Sequence, residues 1–231
     1  GANIRSSSGA LNVTLNADSD QATTPGGGVM IGNGAAVATI NTAGGNLLVG
    51  GGAGAGNFAV GTASTANAGV YLNLANLTTG AGSVTVRGRG LDGGTTAMGI
   101  RMETANTSIA TTTGNIVLVG TGGDGGAVLG GPTNAVGVFI NSGVNVSAAG
   151  GAITIVATGG NQAGTDGFWM RDTALVRSTG AGDISITGTG GNSGGYGISV
   201  GSGHLATGAC ISSSGTGNIS LVGNGGTGGS G

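Results

Sequence analysis

A glycine followed by two apolar residues in alternation, Gly-x-Φ-x-Φ with Φ apolar, returns along the whole chain at a nearly constant interval, and few folds accept such a pattern. It reads GALNV from Gly9, GNLLV from Gly45, GSVTV from Gly82, GNIVL from Gly114, GAITI from Gly151, GDISI from Gly182 and GNISL from Gly217. Successive starts stand 36, 37, 32, 37, 31 and 35 residues apart. Alternation at period two marks a half-buried strand, and self-similarity at this interval marks a solenoid.

Two more strands fit within each repeat. A second motif, Gly-Φ-x-Φ, appears as GVMI from Gly28, GVYL from Gly69, GIRM from Gly99, GVFI from Gly137, GFWM from Gly167 and GISV from Gly197. Its distance from the first varies between 15 and 24 residues, so most of the length variation falls in that one segment. A third strand ends in one apolar residue, namely Ile4, Ile40, Leu77, Ile109, Val146, Val176 or Ile211. Two positions earlier runs a column of mostly small residues, Ala2, Ala38, Ala75, Thr107, Val144, Ala174 and Ala209, which suits a narrow core.

Three short strands per repeat of about 35 residues describe an all-β chain wound as a parallel β-helix of six to seven coils. Residues 1–231 read as a single repeat domain. One coil buries about five apolar side chains at roughly 1.5–3 kcal/mol each, against about 1–2 kcal/mol per residue for ordering its backbone. No coil folds alone. Stacking supplies the missing stability, and an unstacked terminal coil is an edge that recruits another chain. Both terminal repeats look like interior ones, so the expectation is an excerpt of a longer protein, or pieces that stack end to end.

Composition agrees. Glycine accounts for 58 of 231 residues, a content hostile to helices. Six arginines, no lysine and a formal net charge of −2 leave no basic stripe, which argues against nucleic acid as a partner. The longest apolar runs fall short of a membrane span, and the single cysteine, Cys210, has no partner within the chain.

The corners carry their own columns. Ten residues after each first-strand glycine stand Ser19, Ala55, Asp92, Asp124, Asn161, Asn192 and Thr227, several of them types that tolerate a tight corner. Three residues before the same glycines stand Ser6, Thr42, Thr79, Thr111, Ala148, Thr179 and Ser214, hydroxyls placed to bond a neighbouring coil. Asn46, Asn115 and Asn218 suggest an amide ladder.

The strings GNIVLVGTGGDGG, GDISITGTGGNSGG and GNISLVGNGGTGG resemble the glycine-rich β-helical repeats of bacterial filamentous-haemagglutinin-like and autotransporter-type surface proteins. The resemblance covers essentially the whole chain. It implies a right-handed parallel β-helix, export across the cell envelope to an extracellular location, and a structural or adhesive role.

Four sets of residues are candidates for function. The residue between the two inward positions of each second strand forms a column of Met30, Tyr71, Arg101, Phe139, Trp169 and Ser199. By alternation it faces away from the core. Exposed, it is an interaction ridge for glycan rings or for a neighbouring rod; folded over by the variable insertion, it is only packing. The stacked acids Asp92 and Asp124 suggest at most one weak calcium ion, because a hard cation needs more oxygens than two carboxylates give. No other cofactor is implied. A polysaccharide-processing enzyme would draw on Glu103, Arg171 and Asp172, as acid or base and as charge stabiliser, but no second carboxylate is clearly paired with any of them. His204 has no evident partner, and the glycine string from Gly120 to Gly125 lacks the following helix that phosphate binding requires. Sequons begin at Asn12, Asn76, Asn106, Asn145 and Asn218. The sequence thus favours a non-enzymatic surface solenoid that associates with itself or with glycans, with a carbohydrate-binding or polysaccharide-processing β-helix as the alternative.

Overall fold

A computed structural model describes residues 1–20, 26–124, 135–192, 194–201 and 208–226. Three parallel sheets stack as a β-solenoid of about six turns, with coils of about 34 residues. The seven first strands form an eight-stranded sheet with Ala59–Val60 as its extra strand, the second strands a six-stranded sheet and the third strands a seven-stranded sheet. Each strand bonds the equivalent strands of the coils above and below, so every sheet is built from residues far apart in sequence. The one helical element among the described residues is a single 3-10 turn, Ala63–Thr65. No helix among them is long and apolar enough to cross a membrane.

The apolar columns stack in register. Ile116, Ile153 and Ile184 pair directly, as do Leu118, Ile155 and Ile186 two residues on. The second strands align Val70, Ile100, Val138 and Phe168, and the third strands align Leu77, Ile109, Val146 and Val176. All of these are fully buried in one continuous core. The small column fits where the core narrows: Ala75, Thr107, Val144 and Ala174 are fully buried.

Two glycine columns follow from that narrowness. A Cβ on Gly82, Gly114, Gly151 or Gly182 would stand 1.9 Å from the carbonyl oxygen of the glycine one coil earlier. A Cβ on Gly69, Gly99, Gly137 or Gly167 would stand 2.3–2.5 Å from a first-strand backbone nitrogen. At both places backbone lies directly on backbone, and only glycine fits.

The register corrects several alignments drawn from the sequence. In the first coil Val13 pairs with Leu47 and Leu15 with Val49, so Gly9 stands two residues out of line and the equivalent of Gly45 is Leu11. The turn between Ser6 and the first strand is longer there, which shifts every position after it. Ala55 leaves the corner column because the chain loops out after Gly51 and rejoins at Ala59–Val60, which pairs with Gly88 and Arg89. In the hydroxyl column Ala148 pairs with Ser178 and Ser178 with Ser213, one residue before Thr179 and Ser214. These hydroxyls also bond differently from expectation. Thr42 and Thr79 donate within their own turn, to the carbonyls of Gly45 and Gly82, both at 2.5 Å.

The expected amide ladder does not form, because Ser83 lies between Asn46 and Asn115, and Ala152 and Asp183 lie between Asn115 and Asn218; the column instead bonds the backbone of the next coil. Asn46 Oδ1 accepts the Ser83 N–H at 2.8 Å and Asn115 Oδ1 accepts the Ala152 N–H at 2.9 Å. Asp183 takes the same position for Asn218, at 2.7 Å. Each side chain thereby satisfies a corner N–H of the next coil that the sheet ladder leaves over.

Candidate functional site

The second-strand sheet carries the residues that the sequence singles out, and its register confirms their column. Met30, Tyr71, Arg101, Phe139, Trp169 and Ser199 pair in succession across neighbouring strands. They point out of the central core. They are nevertheless not an exposed ridge. Tyr71, Phe139 and Trp169 are 8%, 3% and 1% exposed, and only Met30 at the first coil stays open, at 41%. Ala68, Met98 and Val136, each just before a second-strand glycine, pack over the rings with Ala66 and close a second apolar cluster. The described end of the segment between first and second strands, just ahead of each glycine, therefore folds back as a cover. The physical reason is area: rings that alternation aims away from the central core still gain by leaving water, and the adjoining corner supplies the second wall.

The arginines complete this packing. Phe139 and Trp169 lie with ring centroids 4.8 Å apart and planes tilted by 40°. The Arg171 guanidinium sits 4.7 Å from the Trp169 ring centroid and 5.7 Å from that of Phe139, and Arg101 sits 4.9 Å over Tyr71. A cation over a π face is held by the ring quadrupole.

Polar partners bind the same groups. Glu103 accepts a short hydrogen bond from the Tyr71 hydroxyl and an ion pair from Arg101 at 3.0 Å. Asn73 donates to the Tyr71 oxygen at 2.9 Å, and Thr104 donates to Asn73 Oδ1 at 2.8 Å. Burial, first, and the Glu103 carboxylate, second, push the Tyr71 phenol up to about 12. It stays protonated as a donor and cannot serve as a base near neutrality.

The candidates for polysaccharide chemistry are separated by this geometry. Arg171 Nε pairs with Asp172 of its own coil at 3.1 Å and donates to Asn141 Oδ1 at 3.3 Å. Glu103 lies on the Arg101 strand, which pairs with the Phe139 strand, and that strand pairs in turn with the Trp169 strand that leads into Arg171. The structure does not bring Glu103 and Asp172 together as an acid and base pair, since each is held by its own arginine. His204, Thr227 and Gly125 lie outside the described residues.

At the corner, Asp92 and Asp124 do stack, and a protein cation already serves them. Arg89 Nη2 stands 2.9 Å from Asp92 and 3.5 Å from Asp124. The carboxylates also replace backbone acceptors: Asp92 Oδ1 takes the Asp124 N–H at 2.9 Å, and Asp124 Oδ1 takes the Asn161 N–H at 3.0 Å. The corner is therefore a hydrogen-bonded ladder whose two carboxylates share one arginine. No group of three or more potential metal ligands occurs among the described residues.

One titratable residue escaped the sequence reading. Asp166 is 1% exposed and occupies the position before a second-strand glycine where the preceding coils carry Ala68, Met98 and Val136. Its Oδ1 accepts the Tyr196 N–H at 2.9 Å, and Ser199 bonds it as well. Burial pushes its carboxyl up to about 6 from an ordinary 3.8, against the opposing pull of those hydrogen bonds. The signal was available, since an acid stands in an otherwise apolar column, but that column becomes visible only once the insertion is known to cover the sheet.

No family model, no curated protein and no solved structure matches the chain. What identifies it is architecture, a three-sheet parallel β-solenoid with a second apolar core on one flank.

Proposed function

We propose that this chain is a structural segment of an extracellular, cell-surface solenoid, whose coils extend into a filament by stacking at their ends. The observation that carries the reading is the state of the two outermost coils. Ile4 is 40% exposed at one end, and Ile219 and Leu221 are 42% and 48% exposed at the other. One coil inward, Ile40, Leu47, Ile184 and Ile186 are buried. A further coil on either end, whether from a longer chain or from a second copy, would continue all three sheets and cover the exposed column residues. Its contact would be head-to-tail, and such a contact propagates as a filament instead of closing.

The resemblance of GNIVLVGTGGDGG and its repeats to adhesin solenoids supports the extracellular placement. The proposed role is mechanical and non-enzymatic. Glu103 and Asp172, the carboxylates a glycan-processing site would need, are each engaged by a neighbouring arginine.

Electron microscopy and sedimentation of the purified chain across a concentration series test the proposal. Rods longer than the roughly 30 Å of a six-turn unit are expected, shortening to single units when Ile4→Lys and Leu221→Lys place charges in the end coils. A population of single units at every concentration overturns it.

A further inference from the structure

The third-strand sheet carries a feature that stacking at the ends does not use. Its outward positions form two columns across neighbouring strands. One runs Thr39, Asn76, Ser108 and Asn145, and the other runs Asn41, Thr78, Ala110 and Ser147. Two depressions lie on this face. Asn76, Ser108, Asn145 and the turn residue Asn106 line one, and Asn41, Thr78 and Ala110 line the other. The strands holding Asn76 with Thr78, and Ser108 with Ala110, border both depressions, which therefore lie side by side along the strand direction and are taken together as one shallow trough. From Asn106 to Thr112 it runs roughly 20 Å along the strand direction.

No charged side chain lines either depression. The charges in these two columns, Arg5 and Arg177, belong to outer coils, where Arg5 pairs with Asn41 and Arg177 with Ser147. The trough instead presents amides and hydroxyls beside the small surfaces of Ala43, Gly80, Ala81 and Ala110. Asn76 Oδ1 already accepts the Ser108 hydroxyl at 3.0 Å, which orients the Asn76 amide nitrogen as a donor. Asn145 Oδ1 is buried and accepts no hydrogen bond, an unspent acceptor beside the trough.

We propose that this trough binds a neutral, hydroxyl-rich polysaccharide chain lying along the strand direction. Such a ligand supplies both donors and acceptors to paired amides, needs no countercharge, and lays its less polar ring edges on alanine and glycine. A charged polymer would forfeit its hydration here without an ion partner in return. The aromatic column of the second-strand sheet cannot play this part, since Trp169 and Phe139 are under cover.

The experiment is isothermal titration calorimetry of the whole chain, produced without glycosylation because Asn76, Asn106 and Asn145 are also sequon positions. The probes are cellohexaose, mannohexaose and chitohexaose, with an anionic alginate hexasaccharide alongside. Binding of at least one neutral hexasaccharide is expected, weakened tenfold or more by Asn76→Ala with Asn145→Ala at an unchanged melting temperature. Should that pair perturb folding, Thr78→Arg obstructs the trough from an outward position on an intact strand and must weaken binding equally. No heat with any neutral probe, binding of the alginate probe alone, or binding indifferent to these variants overturns the assignment. Filament length is a separate readout, so either proposal can fail without the other.

Discussion

A single carboxyl group shows how position outweighs residue type in this chain. Asp92 and Asp124 stand at an exposed corner, where they replace missing acceptors and share Arg89. Asp166 has the same side chain but sits where the cover closes on the second-strand sheet, 1% exposed. Its folded-state pKa near 6 lies above the ordinary 3.8, so between those values the folded chain binds more protons than the unfolded one. Its stabilising share is complete below about 3.8 and is lost as pH rises through about 6. Asp166→Asn keeps the acceptor for the Tyr196 N–H without the charge. This variant should be more stable than the parent at pH 8, by roughly 2–3 kcal/mol, and should flatten the pH dependence between 4 and 7. Thermal or denaturant unfolding followed at several pH values reads both effects.

At the scale of the element, the second strand differs from its neighbours by working on both faces. Phe168 and Met170 enter the central core, while Trp169 between them enters the flanking cluster. The first and third strands keep the simpler alternation of buried and half-exposed positions, as in Ile184–Thr189 and Ala75–Gly80. Trp169→Ala should therefore behave as a core truncation and cost about 3–5 kcal/mol. It also strips the Arg171 guanidinium of its closer ring contact. A lowered melting temperature is the expected result. An unaltered melting temperature with changed partner binding would instead mean that the cover opens in solution.

For the molecule as a whole, almost every hydrogen-bonded strand pairing joins one coil to the next, so stability should be close to a sum over neighbouring coils. Excising residues 82–113 removes one complete period, from Gly82 to the residue before Gly114. The shortened chain should fold with the same circular dichroism spectrum and unfold at a lower temperature. Excising residues 82–97 instead joins strands of different sheets and puts the apolar columns out of phase; loss of cooperative unfolding is the expected outcome. If the half-period deletion proves as stable as the full one, the nearest-neighbour account is wrong.

The periodic glycine and apolar pattern by itself determined the solenoid, its coil count, its three strands per coil and the stacking of Ile116, Ile153 and Ile184, because all of these follow from local alternation repeated at one interval. Where the repeat carried insertions, the pattern misled: Gly9 fell two residues out of register and Ala55 left its corner, since turn length is set by the path between strands and leaves no periodic trace. Exposure of the Tyr71, Phe139 and Trp169 column was likewise out of reach. Alternation says that a side chain leaves one core, but whether it meets water or a second wall depends on how Ala68, Met98 and Val136 return over the sheet. The same holds for Asp166, whose buried setting exists only once that wall has closed, and for the third-strand trough, whose amides gather from strands some thirty residues apart.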